Sequence, residues 1–248
     1  MTAMNRERVR FYTAGEGGIV VDFGQAIRPE VYEEVCRFVT ALRSLALPEI
    51  REIVPSYCSV MVYFDVLQVR AAVMRQQLTA ALQLASSLPQ PAALVRRVLL
   101  VPVCYEGVLA PDLEYVLRAT GLVRDELLSL HTAQPYLVYM MGFMPGFPYM
   151  GGLPFTVPRQ TTPRRAVPPG SVGIGANQTG IYTIEGPGEW WLVGRTPLRI
   201  FDAARAQPFL LQAGDYVQFQ AVDIATYFAL RREIEAGRYT PEFVEEAL

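Results

Sequence analysis

Along the first third of the chain, apolar residues switch between runs with the two-residue period of a strand and stripes with the 3.6-residue period of a helix. Residues 18–23 form a β-branched apolar run that predicts a strand. Pro29 has the φ a helix requires and lacks a donor that the first turn would leave idle. It opens a segment in which Val31, Val35, Phe38, Leu42 and Leu45 share one face. Residues 50–54 and 59–64 predict two more strands, split by Pro55 and Ser56, and Val69, Val73, Ala80 and Leu84 mark a second helix. This order predicts a split-βαβ α+β sandwich, with helices packed on one face of an antiparallel sheet.

The string SSLPQP, residues 86–91, interrupts the periodicity with two prolines and is the expected boundary of an N-terminal α+β domain covering residues 1–88. Residues 96–103 then predict a strand. A helix follows from Pro111, with Asp112 and Glu114 in its first turn, where the helix dipole favours acids, and Gly121 stops it. A short helix runs from Arg124 to His131. From Tyr136 the chain breaks into short strands punctuated by glycine and proline, the composition of a barrel or sandwich, so residues 95–222 are expected to form a second, β-rich domain. Residues 223–248 show a helical pattern in Tyr227, Phe228, Leu230 and Ile234, a break at Gly237 and a short acidic tail, which predicts docking helices.

Composition narrows the function. With 248 residues, 51% of them apolar and 19% charged, the chain has material for two globular domains. A net charge of −2 with no block of like charge argues against nucleic acid or an anionic membrane as partner. The longest apolar runs fall far short of the roughly 20 residues that cross a bilayer, and the first residues contain no hydrophobic segment of signal-peptide kind. A cytoplasmic protein is expected. Cys36, Cys58 and Cys104 are widely spaced without a CxxC pair, which predicts buried thiols, no disulfide framework and no metal site.

Candidate chemistry concentrates in residues 142–199. GFMPGFPYMGGLP, residues 142–154, interleaves glycines with three prolines and three aromatics, so it is neither a regular helix nor a regular strand and suits either a packed loop or a binding loop. In PRQTTPRRAVPPG, residues 158–170, prolines stiffen a segment carrying Arg159, Arg164 and Arg165, whose planar forks suit carboxylates and phosphates. GSVGIGANQTGIY, residues 170–182, reads as a glycine-rich turn able to present backbone N–H groups to an anion, with Gln178 and Thr179 to orient a polar substrate. The Gly-Lys-Ser/Thr ending of a phosphate loop is missing. Of Trp190 and Trp191, alternation places one inward and one outward, where it can serve a pocket or a partner, and the simpler expectation is core for both. His131, the single histidine, is the one side chain with an unperturbed pKa near neutrality; it is either a general base or a structural cap of its short helix.

Taken together, EIVPSYCSVMVYFD, PDLEYVL, LHTAQPYLVYMMGFMPGFPYMGGLP, TPRR, VPPGSVGIGANQTGIY and GRTPLRIFD resemble the allophanate hydrolase subunit 1 family, which includes the B subunit of 5-oxoprolinase and a sporulation-kinase inhibitor. The resemblance spans residues 17–219. It implies an α+β fold with an N-terminal α/β domain and a cyclophilin-like β-barrel. It also implies a partner, an allophanate hydrolase subunit 2 protein or one like the C subunit of 5-oxoprolinase, together with a third, LamB/YcsF-like subunit. The implied activity is ATP-dependent opening of an amide or lactam, most simply of 5-oxoproline to glutamate, with ATP at or near the subunit interface. Allophanate or another urea-derived amide is a rival substrate, and inhibition of a sensor histidine kinase or prolyl isomerisation are rival functions. The resemblance puts substrate contacts on Gly142, Phe143, Gly146, Phe147, Tyr149, Ser171, Gln178, Thr179, Gly180 and Arg195. It puts catalytic or clamping roles on His131, Arg159 and Arg164. The sequence departs from the family pattern at Cys58, Ala110, Val123 and Glu189, where Arg, Gly, a capping Ser and Gly are usual.

Overall fold

A computed structural model describes residues 8–88 and 95–247, so the first seven residues and both prolines of the expected boundary lie outside the described residues. The chain divides into two compact units, Met1–Ala92 and Ala93–Leu248. In the first unit, strands β1 (Arg10–Thr13), β2 (Gly18–Asp22), β3 (Ile50–Pro55) and β4 (Ser59–Phe64) form an antiparallel sheet of order β1-β2-β4-β3. Helices α1 (Pro29–Ser44) and α2 (Ala71–Ser87) complete it. Strand alternation buries Ile19, Val21, Val60 and Val62 on the face that meets Val31, Val35, Phe38 and Leu42 of α1. Leu45, expected on that stripe, lies past the helix end and is exposed.

Two expectations fail here. β1 is an additional edge strand, too short to stand out as a pattern. α2 buries Met74, Leu78, Ala81, Leu82 and Ala85, while Val73 is exposed and Ala80 faces solvent. Both stripes have helical spacing, and the one with the larger side chains won because it removes more apolar area from water.

The second unit contains β5 (Val95–Cys104), a 3-10 turn (Gly107–Leu109), α3 (Leu113–Thr120), α4 (Arg124–Thr132), β6 (Tyr136–Met141) and β7 (Pro148–Gly151). It continues through β8 (Arg164–Val167), β9 (Ser171–Gly175), β10 (Gln178–Ile181), β11 (Gly186–Gly188), β12 (Trp191–Arg195), β13 (Tyr216–Val222), α5 (Ile224–Glu235) and β14 (Phe243–Ala247). Strands pair in the order β12-β9-β10-β7-β6-β13-β5, and β5 returns to β12 through Arg195 and Cys104, closing a seven-stranded barrel. Only β13 and β5 run parallel in it. β8 and β11 form a separate ribbon. Inward side chains such as Val101, Val138, Met150, Val172, Ile174 and Val217 fill the barrel, so it has a packed core and no channel. α3 and α4 add Val116 and Leu127 to that core.

The C-terminal segment corrects a further expectation. Its acidic end is not a tail; it is β14, which adds antiparallel to β5 with Glu245 opposite Arg97. Arg97 also reaches both carboxylate oxygens of Asp215 and lies over the Phe243 ring, 4.5 Å from its centre. Unlike charges in register suit a solvent-side edge strand. At α4, Val123 offers no side-chain cap, and Glu126 accepts the Val123 N–H at 3.1 Å in its stead. Among the described residues no helix is long and apolar enough to cross a membrane.

Candidate functional site

The GFMPGFPY segment leaves β6 and re-enters the barrel as β7, and the chain reverses there through a strained turn. The Met144 N–H donates to the Gly142 carbonyl at 2.7 Å across Phe143, which has φ of 62°. A γ-turn with positive φ at a bulky residue is rare and costs about 1–3 kcal/mol. Gly146 follows with φ of 76°, and a Cβ there would come within 3.0 Å of Phe201. The turn holds the Phe143 ring 60% exposed, edge-on to Phe147 and Tyr182.

Behind that ring lies a cavity of about 320 Å³. Phe147, Tyr149, Tyr182 and Trp190 form its aromatic wall, Pro163, Pro187 and Gly188 complete the apolar surface, and Arg159 and Glu189 line its polar side. The wall rings meet edge to face, with centres 5.2 Å apart for Phe147 and Tyr182 and 5.5 Å for Phe147 and Trp190. Such contacts stiffen an aromatic cluster. Arg159 Nη1 donates to Glu189 Oε1 at 2.7 Å, and its guanidinium lies 5.8 Å from the Trp190 ring centre. Burial raises the Tyr149 and Tyr182 phenols, Tyr182 to about 12, so both remain protonated donors near neutrality.

This wall also explains the glycines that read as an anion cradle. Residues 171–181 form a hairpin whose N–H groups serve the β9–β10 and neighbouring ladders. A Cβ at Gly175 would lie 2.8 Å from the Trp190 indole, and one at Gly180 would lie 2.7 Å from the Phe147 ring. A Cβ at Gly188 would collide with the Tyr182 phenol. Those positions are bare because aromatic rings press on them.

His131 occupies a different place from the one its chemistry suggested. It is 0% exposed inside the barrel, stacked on Phe219 with ring centres 4.5 Å apart. Thr179 gives its hydroxyl proton to the Gly173 carbonyl at 3.2 Å, so His131 Nε2 donates to Thr179 Oγ1 at 3.0 Å, and Tyr105 O–H donates to Nδ1 at 2.7 Å. Desolvation lowers the His131 pKa to about 3. This neutral imidazole, hydrogen-bonded through both nitrogens, joins α4 to the barrel wall, and it is not among the residues that line the cavity.

The sequence-derived candidates therefore separate. Phe143, Phe147, Tyr149 and Arg159 line the cavity, Gly142 and Gly180 sit behind its Phe143 and Phe147 rings, and Gly146 makes room for Phe201 and Phe209 outside it. Thr179 belongs to the His131 node. Gln178 is buried in β10 outside the cavity lining. Ser171 and Arg195 pair on β9 and β12, where Arg195 Nε donates to the Pro169 carbonyl at 2.9 Å. Arg164 Nη2 donates to Asp112 Oδ1 at 2.5 Å, and Asp112 Oδ2 accepts the Leu192 N–H at 2.7 Å, so Asp112, at the start of α3, ties that helix to β12 and to Arg164 of β8. Reasoning from sequence missed Tyr182, Pro163 and Pro187 as lining residues and left Trp190 as a core residue. Trp190 is buried yet lines the cavity, whereas Trp191 lies outward, stacked on Tyr115 at 3.7 Å. Glycines at 173, 175 and 188 were the available signal, since each leaves room for a ring of this cluster.

The three cysteines are unpaired, and Cys36 is exposed where a buried thiol was expected. Among the described residues, no group of three His, Cys, Asp or Glu side chains could hold a metal ion.

Residues 9–211 match the family model described as carboxyltransferase domain, subdomain C and D. The chain is 33% identical over 236 residues to the B subunit of 5-oxoprolinase from Bacillus subtilis, covering 91% of this chain and 98% of that one. It is 35% identical over 215 residues to the B subunit of 5-oxoprolinase from Escherichia coli O157:H7, covering 86% and 96%. Among solved structures, urea carboxylase of Kluyveromyces lactis superimposes with a TM-score of 0.83 over 97% of this chain at 20% identity, which shows a shared fold. The chain spans 24% of that enzyme. By the extent of the matched model and the full-length similarity to the bacterial proteins, the chain belongs to the carboxyltransferase subdomain C and D family.

Proposed function

We propose that this chain is a subunit of an ATP-dependent amide hydrolase of the 5-oxoprolinase kind. In this reading it is cytoplasmic and active with an allophanate hydrolase subunit 2 protein, or one like the C subunit of 5-oxoprolinase, and with a third, LamB/YcsF-like subunit. The observation that carries this reading is the similarity to two proteins named as the B subunit of 5-oxoprolinase over 98% and 96% of their lengths. The cavity supports it: a ring can lie on the Phe147, Tyr149 and Trp190 surface while its carboxylate meets Arg159. An acyclic urea-derived amide would leave that aromatic wall unused, which favours the cyclic substrate.

Among the described residues, those lining the cavity do not suit a triphosphate. Their single guanidinium is already paired with Glu189, the nearby glycine amides are spent in strands, and the sequence has no lysine. We therefore assign the nucleotide to the partner's side of the interface. ATP supplies phosphorylation of the amide oxygen, which makes a poor electrophile open to water. This chain's residues hold the substrate: Arg159 fixes the carboxylate, and the aromatic wall excludes water and orients the ring. Purified chain combined with its partner subunits should hydrolyse ATP in a 5-oxoproline-dependent manner, and the chain alone should not. A reconstituted complex without such turnover would refute the reading.

A further inference from the structure

The basic group of the cavity is engaged from within the chain, and the engagement is built into the backbone. The Gln160 N–H donates to the Glu189 carbonyl at 2.9 Å, and Gln160 Nε2 donates to the Trp190 carbonyl at 3.1 Å. These two bonds tie the segment carrying Arg159 to the one carrying Glu189, so their side chains face each other over the cavity. The side chains are 45% and 39% exposed, and an ion pair so open to water is weak. Either can swing into solvent without disturbing the core.

We propose that Glu189 is an internal competitor. It occupies Arg159 in the unliganded cavity, and a small ring-bearing monocarboxylate enters by taking its place on the guanidinium. The Arg159 guanidinium already lies over Trp190, so a carboxylate bound to it delivers its attached ring to Trp190, Phe147 and Tyr149. With one guanidinium on an otherwise apolar and aromatic surface, the cavity selects a single negative charge joined to a compact apolar ring. Glu189 then sets the threshold: a neutral ring gains nothing from displacing it, and a carboxylate does. The identity of the natural ligand rests on the function proposed above; the exchange rests on the residues alone.

The test is titration followed by tryptophan fluorescence, on the full chain and on the reconstituted complex, with 5-oxoproline and cyclopentanecarboxylate as charged rings and 2-pyrrolidone as the neutral ring. Glu189→Gln should tighten both carboxylates by about fivefold, the upper worth of an exposed ion pair, and leave 2-pyrrolidone unchanged. Arg159→Gln should weaken the carboxylates and abolish the effect of Glu189→Gln. Equal or weaker carboxylate binding in Glu189→Gln, equal tightening of 2-pyrrolidone, or no carboxylate binding to any form would overturn the proposal. Turnover of 5-oxoproline without the Glu189→Gln effect would sink the exchange and spare the function. The effect without turnover would do the reverse.

Discussion

Two polar clusters in the barrel unit look alike in sequence and differ in kind. The His131, Tyr105 and Thr179 node is closed: every hydrogen-bonding atom of the imidazole has a partner and none meets solvent. The Arg159 and Glu189 pair is open, half exposed over an aromatic cavity and held by one exchangeable contact. A residue type suited to chemistry is thus no guide to its use. Saturated partners and burial make a polar group structural, and a replaceable partner beside a cavity makes it available. Substitutions in closed clusters should therefore cost stability, and substitutions at the open one should cost binding.

The largest effect is expected at Asp112, which belongs to the closed class. Asp112→Ala leaves the Leu192 N–H and the partly exposed Arg164 guanidinium without their partner and should destabilise the barrel unit by about 2–4 kcal/mol in a urea titration. His131→Phe comes next, at about 2–3 kcal/mol, because Tyr105 and Thr179 lose their shared partner. It carries a pH signature as well. His131 binds its proton near pH 6.5 when unfolded and near pH 3 when folded, so the unfolded state holds more protons between those values. Wild-type stability is therefore unaffected by this group above about pH 6.5 and falls as pH drops toward about 3, with a slope of at most about 1.4 kcal/mol per pH unit. His131→Phe should lack this component, and the difference between wild-type and variant unfolding free energies across that window measures it.

Smaller effects sharpen the contrast from the cavity side. Gly180→Ala drives a Cβ into the Phe147 ring and should cost about 1–3 kcal/mol while distorting the wall, so thermal stability and ligand binding fall together. Phe143→Gly relieves the positive φ and should leave stability equal or higher by about 1 kcal/mol while weakening binding of a ring carboxylate. Opposite signs for stability and affinity at Phe143 would mark the strain as functional, and a loss of both would mark the ring as structural.

The sequence made some of this legible and hid the rest for definite reasons. Strands β2 to β5 and the helices followed from periodicity, α1 through Pro29 and a single apolar stripe, whereas a barrel in place of a sandwich was implied only by the family resemblance. α2 offered two apolar stripes, and only packing chose between them. β14 was hidden by acidic residues, whose place opposite Arg97 is a tertiary fact. The GFMPGFPY loop and Arg159 were found at the cavity because stiff backbone, aromatics and a cation were written close together. Trp190, Tyr182 and Glu189 joined them through pairing of distant strands, and the glycines that accommodate those rings read equally well as an anion cradle. Nothing local in the sequence told His131 from a base, since burial decides it.

The most direct measurement of the central claim is kcat/KM for 5-oxoproline-dependent ATP hydrolysis by the reconstituted complex carrying Arg159→Gln or His131→Phe, each assayed at a temperature where it remains folded. The account predicts a loss of at least about fivefold for Arg159→Gln, with its stability within about 0.5 kcal/mol of wild type, and near wild-type turnover for folded His131→Phe. Full activity in Arg159→Gln together with abolished activity in a folded His131→Phe would contradict it.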